Sequence, residues 1–341
     1  MSAITPLGAQ VSRQHEVAAP LLQVEGLATQ IDSRGRKLRA VDTVSFSIGN
    51  GEILGLVGES GCGKSMTALS IMRLLPPATT IASGSIRFQG QELTKLSNSA
   101  IRTIRGRDIS MVFQEPMTAL DPAFSIGTQL TETIHAHEQV SKDEARSRAI
   151  AMLDRLGITN AAGRIDDYPH QFSGGMRQRV MLAQALILNP KLLLADEPTT
   201  ALDVTIQAEI LDLLLQLRRD FGLGVLLITH NLGVVHQVAD RVAVMYAGEI
   251  VEIGTRDEIF SDPQHPYTQG LLRSMPYLTE TRKRLYVIPG RVPELWNMPR
   301  ACRFARRCPN RIDTCDESHP ELETLNGDHA LRCYNPTAFT R

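Results

Sequence analysis

From Leu21 onward the chain alternates short, mostly apolar runs with longer stretches in which apolar residues recur at helical spacing. Ile53–Val57, Ile109–Phe113, Lys191–Ala195, Val225–Thr229 and Val242–Met245 read as short β-type runs. Another strand starts near Leu21–Val24. Ile206, Ile210, Leu213, Leu214 and Leu217 share one helical face, and that stretch stops at Gly222. Thr128 to Leu156, rich in Ala, Glu, Arg and Gln and followed by Gly157, reads as helix. Strands alternating with helices predict an α/β domain with a largely parallel sheet.

The same pattern divides the chain. Residues 1–20 are small and polar and read as a loose tail. Residues 21–255 form the α/β domain, with a helical insertion at about 116–186. Val242 to Gly254 reads as a hairpin turning at Ala247-Gly248. Beyond it, Pro263, Pro266, Pro276, Pro289, Pro293 and Pro299 mark a separate, irregular extension over 256–341. There is no internal repeat.

Charge and composition narrow the class. Lys plus Arg is 36 against 37 for Asp plus Glu, a net charge of -1, so nothing chain-wide attracts nucleic acid or an acidic membrane. The hydrophobic share of 43% is that of a folded protein. A membrane-crossing helix needs ~20 apolar residues. The longest such run, Val180–Leu188, is far shorter and holds Gln184. Residues 1–20 lack the features of a secretory leader, which predicts a protein that stays in the cytosol. Of the 5 cysteines, Cys302, Cys308, Cys315 and Cys333 crowd the C-terminal end, which is no disulfide scaffold.

Gly58-Glu-Ser60-Gly61-Cys62-Gly63-Lys64-Ser65 fits G-x-x-x-x-G-K-[ST], with the strand Ile53–Val57 before it and a helix, Met66 to Leu75, after it. Glycines let successive backbone N–H groups converge on phosphate oxygens, and the helix N-terminus adds positive potential. Lys64 would neutralise the β- and γ-phosphates and Ser65 would ligate Mg²⁺. Gly58, Ser60, Gly61, Cys62, Gly63, Lys64, Ser65 and Met66 thus form a candidate nucleotide cradle, in which Cys62 serves as loop backbone rather than as nucleophile. Leu192–Ala195 ends in Asp196 and Glu197, where the first carboxylate can hold the metal and the second can accept a proton from water.

Four further features carry a family resemblance. Phe172-Ser173-Gly174-Gly175-Met176, opening a helix from Arg177 to Leu188, resembles the signature motif of the ATP-binding cassette (ABC) ATPases. Gln114 resembles their Q-loop, Ala201-Leu202-Asp203 their D-loop and His230 their switch histidine. The resemblance implies an α/β P-loop (RecA-like) ABC nucleotide-binding domain with a helical insertion and an antiparallel β part. It also implies ATP as substrate and Mg²⁺ held by Ser65, Gln114 and Asp196. Glu197, His230 and Gln114 would then be catalytic, in a dimer where Ser173, Gly174, Gly175 and Asp203 meet the partner's ATP. Two departures stand out: Met176 replaces the usual Gln, and Ile31 occupies the place of an adenine-stacking aromatic residue.

His265-Pro-Tyr-Thr-Gln-Gly-Leu-Leu272, Ile288-Pro-Gly290 and the four cysteines resemble the bacterial dipeptide and oligopeptide permease ATPases of the DppD/OppD type. That resemblance implies a peripheral subunit on the cytoplasmic side of the inner membrane. Its implied partners are a second ABC ATPase (DppF/OppF-like), two transmembrane permease subunits and an extracytoplasmic peptide-binding protein. A soluble ABC ATPase acting on nucleic acid, or an ABC importer of another small solute, is the alternative. Residues 291–341 hold eight Arg and seven acidic residues, so no nucleic-acid partner is expected. The cysteine spacing C-x5-C-x6-C-x17-C lacks a zinc knuckle. Four thiolates interleaved with Arg300, Arg303, Arg306, Arg307 and Arg311 suit a [4Fe–4S] cluster, with Zn²⁺ or free thiols as alternatives.

Overall fold

The computed structural model describes residues 19–114, 119–199, 203–275 and 286–339. Almost all of the expected N-terminal tail, residues 1–18, lies outside them, as do Glu115 to Thr118, Thr200 to Leu202 and Arg341. In chain order the strands are β1 (Leu22–Ser33), β2 (Arg36–Ile48), β3 (Ile53–Val57), β4 (Thr79–Phe88), β5 (Gln91–Glu92) and β6 (Ile109–Val112). They continue with β7 (Leu192–Asp196), β8 (Gly224–Thr229), β9 (Arg241–Tyr246), β10 (Glu249–Thr255), β11 (Glu323–Asn326) and β12 (His329–Leu331).

Two sheets result, an antiparallel one in the order β2-β1-β4-β5 and a larger one in the order β11-β12-β10-β9-β3-β8-β7-β6. The stretch from β9 to β6 is parallel. Every residue of β3, β7 and β8 is buried, and alternation along these strands sends side chains into two different cores. Ile53, Val57, Leu193, Ala195, Val225 and Leu227 pack beneath the helices that carry Leu130, Leu153, Val180 and Leu214. Leu54, Leu56, Leu192, Leu194, Leu226 and Ile228 pack instead with Val24, Val44 and Ile86 of the antiparallel sheet. The parallel sheet is therefore the middle of three layers, which explains why its strands show no polar face. The helix Lys64–Met72 joins the second core through Ala68 and Ile71.

The α/β class, the five apolar strands and the hairpin turn at Ala247-Gly248 match the sequence pattern. Both turn residues have positive φ, 47° and 91°. Three expectations need correction. The stretch Thr128 to Leu156 is two helices, Ile126–His135 and Lys142–Arg155. Ser141 starts the second by accepting the Glu144 amide at 3.2 Å, a Ser-x-x-Glu start signal legible in the sequence. The helix after the phosphate loop begins at Lys64 and stops at Met72, because Arg73 turns left-handed at φ 51°. The extension is not separate: β12 pairs with β10, matching Leu331 to Glu252 and Ala330 to Ile253. Tyr267, Leu272, Ile288 and Phe304 are buried in the core beneath the helices. The hairpin dipeptide Asn326-Gly327 signals β11 and β12, and Arg34-Gly35 signals the turn between β1 and β2.

Candidate nucleotide site

Parallel strands present their carboxyl ends, and the loops there, to ligands. β3, β8, β7 and β6 lie side by side, so the loop after β3, His230 after β8, Glu197 after β7 and Gln114 after β6 line one edge. The loop after β3 crosses close over β9. A Cβ on Gly58 would lie 2.1 Å from the Met245 carbonyl oxygen, so only glycine fits there. Gly63 precedes the helix Lys64–Met72 at φ 109°, and the amides of that first turn have no intrahelical acceptors. Ser60 and Gly61 are exposed, whereas Cys62 is buried beneath the loop and its carbonyl accepts the Gly248 amide at 2.8 Å. Burial also pushes the Cys62 thiol up, away from a reactive thiolate. The Lys64 ammonium is folded onto its own loop, donating to the carbonyls of Gly58 at 2.8 Å and Glu59 at 3.1 Å.

Asp196 ends β7 with its side chain buried, and its Oδ1 has no hydrogen-bond partner. Burial raises its carboxyl above the ordinary range; the Ser65 hydroxyl opposes this, the Glu197 charge adds to it and the Lys64 charge opposes it. An unpartnered buried carboxylate oxygen beside a serine hydroxyl fits a divalent cation, so Asp196 and Ser65 are the residues that would hold Mg²⁺, while Gln114, the third expected ligand, is hydrogen-bonded to Glu197. The cation, when bound, would neutralise phosphate charge.

Glu197 sits at φ 48°, a left-handed conformation strained for a non-glycine residue, and its amide donates to the Ile228 carbonyl at 2.8 Å. The turn places its carboxylate between the ends of the neighbouring strands. Gln114 Nε2 donates to Oε2 at 3.1 Å, and His230 Nδ1 lies 3.0 Å from Oε1. Gln114 and His230 are exposed while the Glu197 side chain is mostly covered. The three catalytic candidates thus form one hydrogen-bonded group around a single carboxylate.

The signature residues stand apart from this group. Ser173 caps the helix Gly174–Leu186 by accepting the Met176 amide at 3.4 Å, and among the described residues no hydrogen bond joins Ser173–Gly175 to the phosphate loop. A Cβ on Gly175 would lie 2.9 Å from Ile206, so this helix packs on the start of Val204–Phe221. Asp203 precedes that second helix and is exposed; Ala201 and Leu202 lie outside the described residues. Met176 receives the Arg164 Nη1 at 3.4 Å on its sulfur. The buried Gln178 side chain donates to the Pro198 carbonyl, tying the signature helix to the turn after Glu197. Ile31 is half-buried on β1 opposite Leu38 of β2.

A family model described as ABC transporter matches residues 41–200, and one described as oligopeptide/dipeptide transporter, C-terminal region, matches residues 251–315. The dipeptide transport ATP-binding protein DppD of Bacillus subtilis (strain 168) is 50% identical over 315 residues, covering 92% of this chain and 94% of that protein. The chain belongs to the ABC transporter ATP-binding family.

Its fold agrees with solved members. The dimeric bacterial ABC transporter cassette MJ0796 superposes with TM-score 0.62 at 26% identity, covering 69% of this chain and 98% of that one. The same cassette has been solved in a post-hydrolysis state bound to ADP and Pi. This ABC protein is an ATPase.

The cysteine centre of this ABC ATPase is less complete than the sequence suggests. Among the described residues no group of three or more His, Cys, Asp or Glu side chains is arranged to hold a metal ion. The backbone does bring two of the four cysteines together, since the Cys302 amide donates to the Cys315 carbonyl at 3.1 Å, and of the four only Cys315 is fully buried. Burial, reinforced by the neighbouring thiols, raises Cys302, takes Cys308 to about 11 and takes Cys333 to about 12. Sequence reasoning also missed a contact between this segment and the phosphate loop, the ion pair of Arg307 with Glu59.

Proposed function

We propose that this ABC ATPase powers the uptake of di- and oligopeptides across the bacterial cytoplasmic membrane, from the inner face of that membrane. One observation carries the reading: half of all aligned residues agree with a dipeptide transport ATP-binding protein along nearly the whole chain, extension included. Its partners are a second, DppF/OppF-like ATPase, two transmembrane permease subunits and an extracytoplasmic peptide-binding protein. Among the described residues no helix is long and apolar enough to cross a membrane, which suits a subunit that borrows its membrane path from partners.

In this reading residues 21–255 are the ATPase unit, about 116–186 its helical part, and 256–341 the extension. Gly58, Ser60, Gly61, Cys62, Gly63, Lys64, Ser65 and Met66 hold the triphosphate, and Glu197 activates water while His230 and Gln114 orient it. Ser173, Gly174, Gly175 and Asp203 complete the partner's site, since a serine-capped helix N-terminus with an open glycine beside it is an anion nest. The groove at Gln114 and the following loop to Pro122 receives a short cytoplasmic helix of a permease subunit.

The four cysteines hold a [4Fe–4S] cluster, with Zn²⁺ the alternative. The cluster assignment rests on the sequence alone, the four cysteines at 302, 308, 315 and 333 and the resemblance of that segment to the peptide permease ATPases; Arg303 and Arg307, which stand between the first two, are paired with Glu249 and Glu59. Purification with the neighbouring membrane subunits and peptide uptake into vesicles test the transport reading. Peptide uptake unaffected by loss of this chain would sink it. Iron and sulfide analysis of anaerobically purified protein tests the cluster: one zinc, or no metal, would replace it.

A further inference from the structure

Glu59, the second residue of the phosphate loop, is held on three sides. Its amide donates to the Tyr267 hydroxyl oxygen at 2.9 Å, its carbonyl accepts the Lys64 ammonium at 3.1 Å, and its carboxylate takes both arms of Arg307 at 2.6 and 2.9 Å. Two of these three partners come from the extension. Arg307 is itself fixed: its side chain is 5% exposed, and its Nε donates to the Pro289 carbonyl at 2.9 Å. Its guanidinium lies 5.7 Å from the Tyr246 ring and 5.9 Å from the Phe304 ring. Those rings pack with Tyr267, at centroid distances of 4.7 and 5.4 Å. A bidentate arginine pair on such a support is directional as well as charged.

The other end of the loop is braced by the same segment. Arg303 Nη1 donates to the Ala247 carbonyl at 2.6 Å, and the next amide, Gly248, supports the carbonyl of Cys62 at 2.8 Å. Cys302 and Cys308 bracket both arginines.

We propose that Arg307, with Tyr267, positions the phosphate loop for ATP through Glu59, so that the cysteine-bearing segment sets nucleotide affinity. Two effects combine. The bidentate pair and the tyrosine hold the loop backbone where it enters the glycine turn. The guanidinium also cancels a carboxylate that otherwise stands beside the phosphates and repels them. Glu197 and His230 lie on other strands, so Arg307 acts on binding and not on the hydrolytic step.

The proposal rests on the nucleotide-site reading, and wild-type protein separates the two: full-length chain that binds no MgATP overturns that reading. With binding intact, Arg307→Ala should weaken MgATP by roughly 5–30-fold, the size of one uncompensated charge at a partly solvated site. In the assembled transporter KM should rise by a similar factor, with kcat within about twofold. Adding Glu59→Gln to Arg307→Ala should recover part of the affinity, because the repelling carboxylate is gone. Arg307→Lys should fall between wild type and Arg307→Ala. If Arg307→Ala does not fold, Tyr267→Phe, which removes only the acceptor of the Glu59 amide, should still weaken MgATP. Unchanged affinity with only a lower melting temperature, or no recovery on adding Glu59→Gln, overturns the proposal.

Discussion

His230 Nδ1 lies 3.0 Å from Glu197 Oε1, so the loop after β8 and the loop after β7 meet at one carboxylate oxygen while Gln114 holds the other. A carboxylate with both oxygens engaged is fixed in orientation, and its basicity is available only along the remaining lone pairs. The left-handed backbone of Glu197 keeps it there.

Glu197→Gln retains the shape and removes the base. ATP should still bind, and turnover in the assembled transporter should fall by a factor on the order of 10²–10⁴. Single-turnover hydrolysis alongside nucleotide binding checks this, and undiminished turnover would remove Glu197 from its role. His230→Ala should also slow turnover with little effect on binding.

Asp196 combines a buried carboxylate with an oxygen that has no partner, and burial raises its carboxyl. Asp196→Asn should therefore abolish Mg²⁺-dependent hydrolysis yet leave the nucleotide-free protein as stable as wild type or more so. Removing a buried charge relieves a desolvation penalty of a few kcal/mol at most in practice. Thermal melting without nucleotide, paired with Mg²⁺ titration of activity, measures both halves. A strongly destabilised variant that keeps Mg²⁺-dependent activity contradicts the assignment.

Ser173 caps its helix far along the chain from the phosphate loop, and its proposed ligand is the partner's ATP. In a Glu197→Gln background, ATP should drive association of subunits. Ser173→Arg should block that association while each subunit still binds ATP. Light scattering with and without MgATP reports the outcome; association that survives the arginine would show that the signature does not face a partner nucleotide.

His265 is 2% exposed, and its Nδ1 accepts the Tyr267 amide at 3.0 Å, capping the helix Pro266–Arg273. Burial holds the ring neutral, with its pKa lowered to about 4 from 6.5 despite the attraction of Glu252. The unfolded chain takes up a proton below about pH 6.5 and the folded chain only near 4, so this group's contribution is full above 6.5 and is lost as pH falls toward 4. At about 1.4 kcal/mol per pH unit the loss is on the order of 3 kcal/mol. His265→Asn keeps an oxygen to cap the helix and cannot titrate, so its stability should fall less between pH 6.5 and 4. Denaturant unfolding across that range tests it; parallel pH profiles for the two proteins would exclude the histidine.

The sequence by itself determined the features that short-range physics dictates. Strands buried on both faces must be apolar throughout, so β3, β6, β7, β8 and β9 could be read directly. A phosphate cradle needs glycine where the backbone passes 2.1 Å from a would-be Cβ contact, so the loop at Gly58–Ser65 was legible too. Glu197 could be proposed from its place after an apolar strand, but not its left-handed turn or its two hydrogen-bonding neighbours. The start of the helix at Ser141 and the hairpin at Asn326-Gly327 carried local signals that the broader Ala-rich and Pro-rich patterns masked. Only the tertiary structure decided that the extension joins the main sheet and that Arg307 meets Glu59 across 248 positions. Charged residues at such distance give no periodic signal; which arginine pairs with which carboxylate depends on the path of the chain through the packed core, and that path emerges only when the whole fold closes.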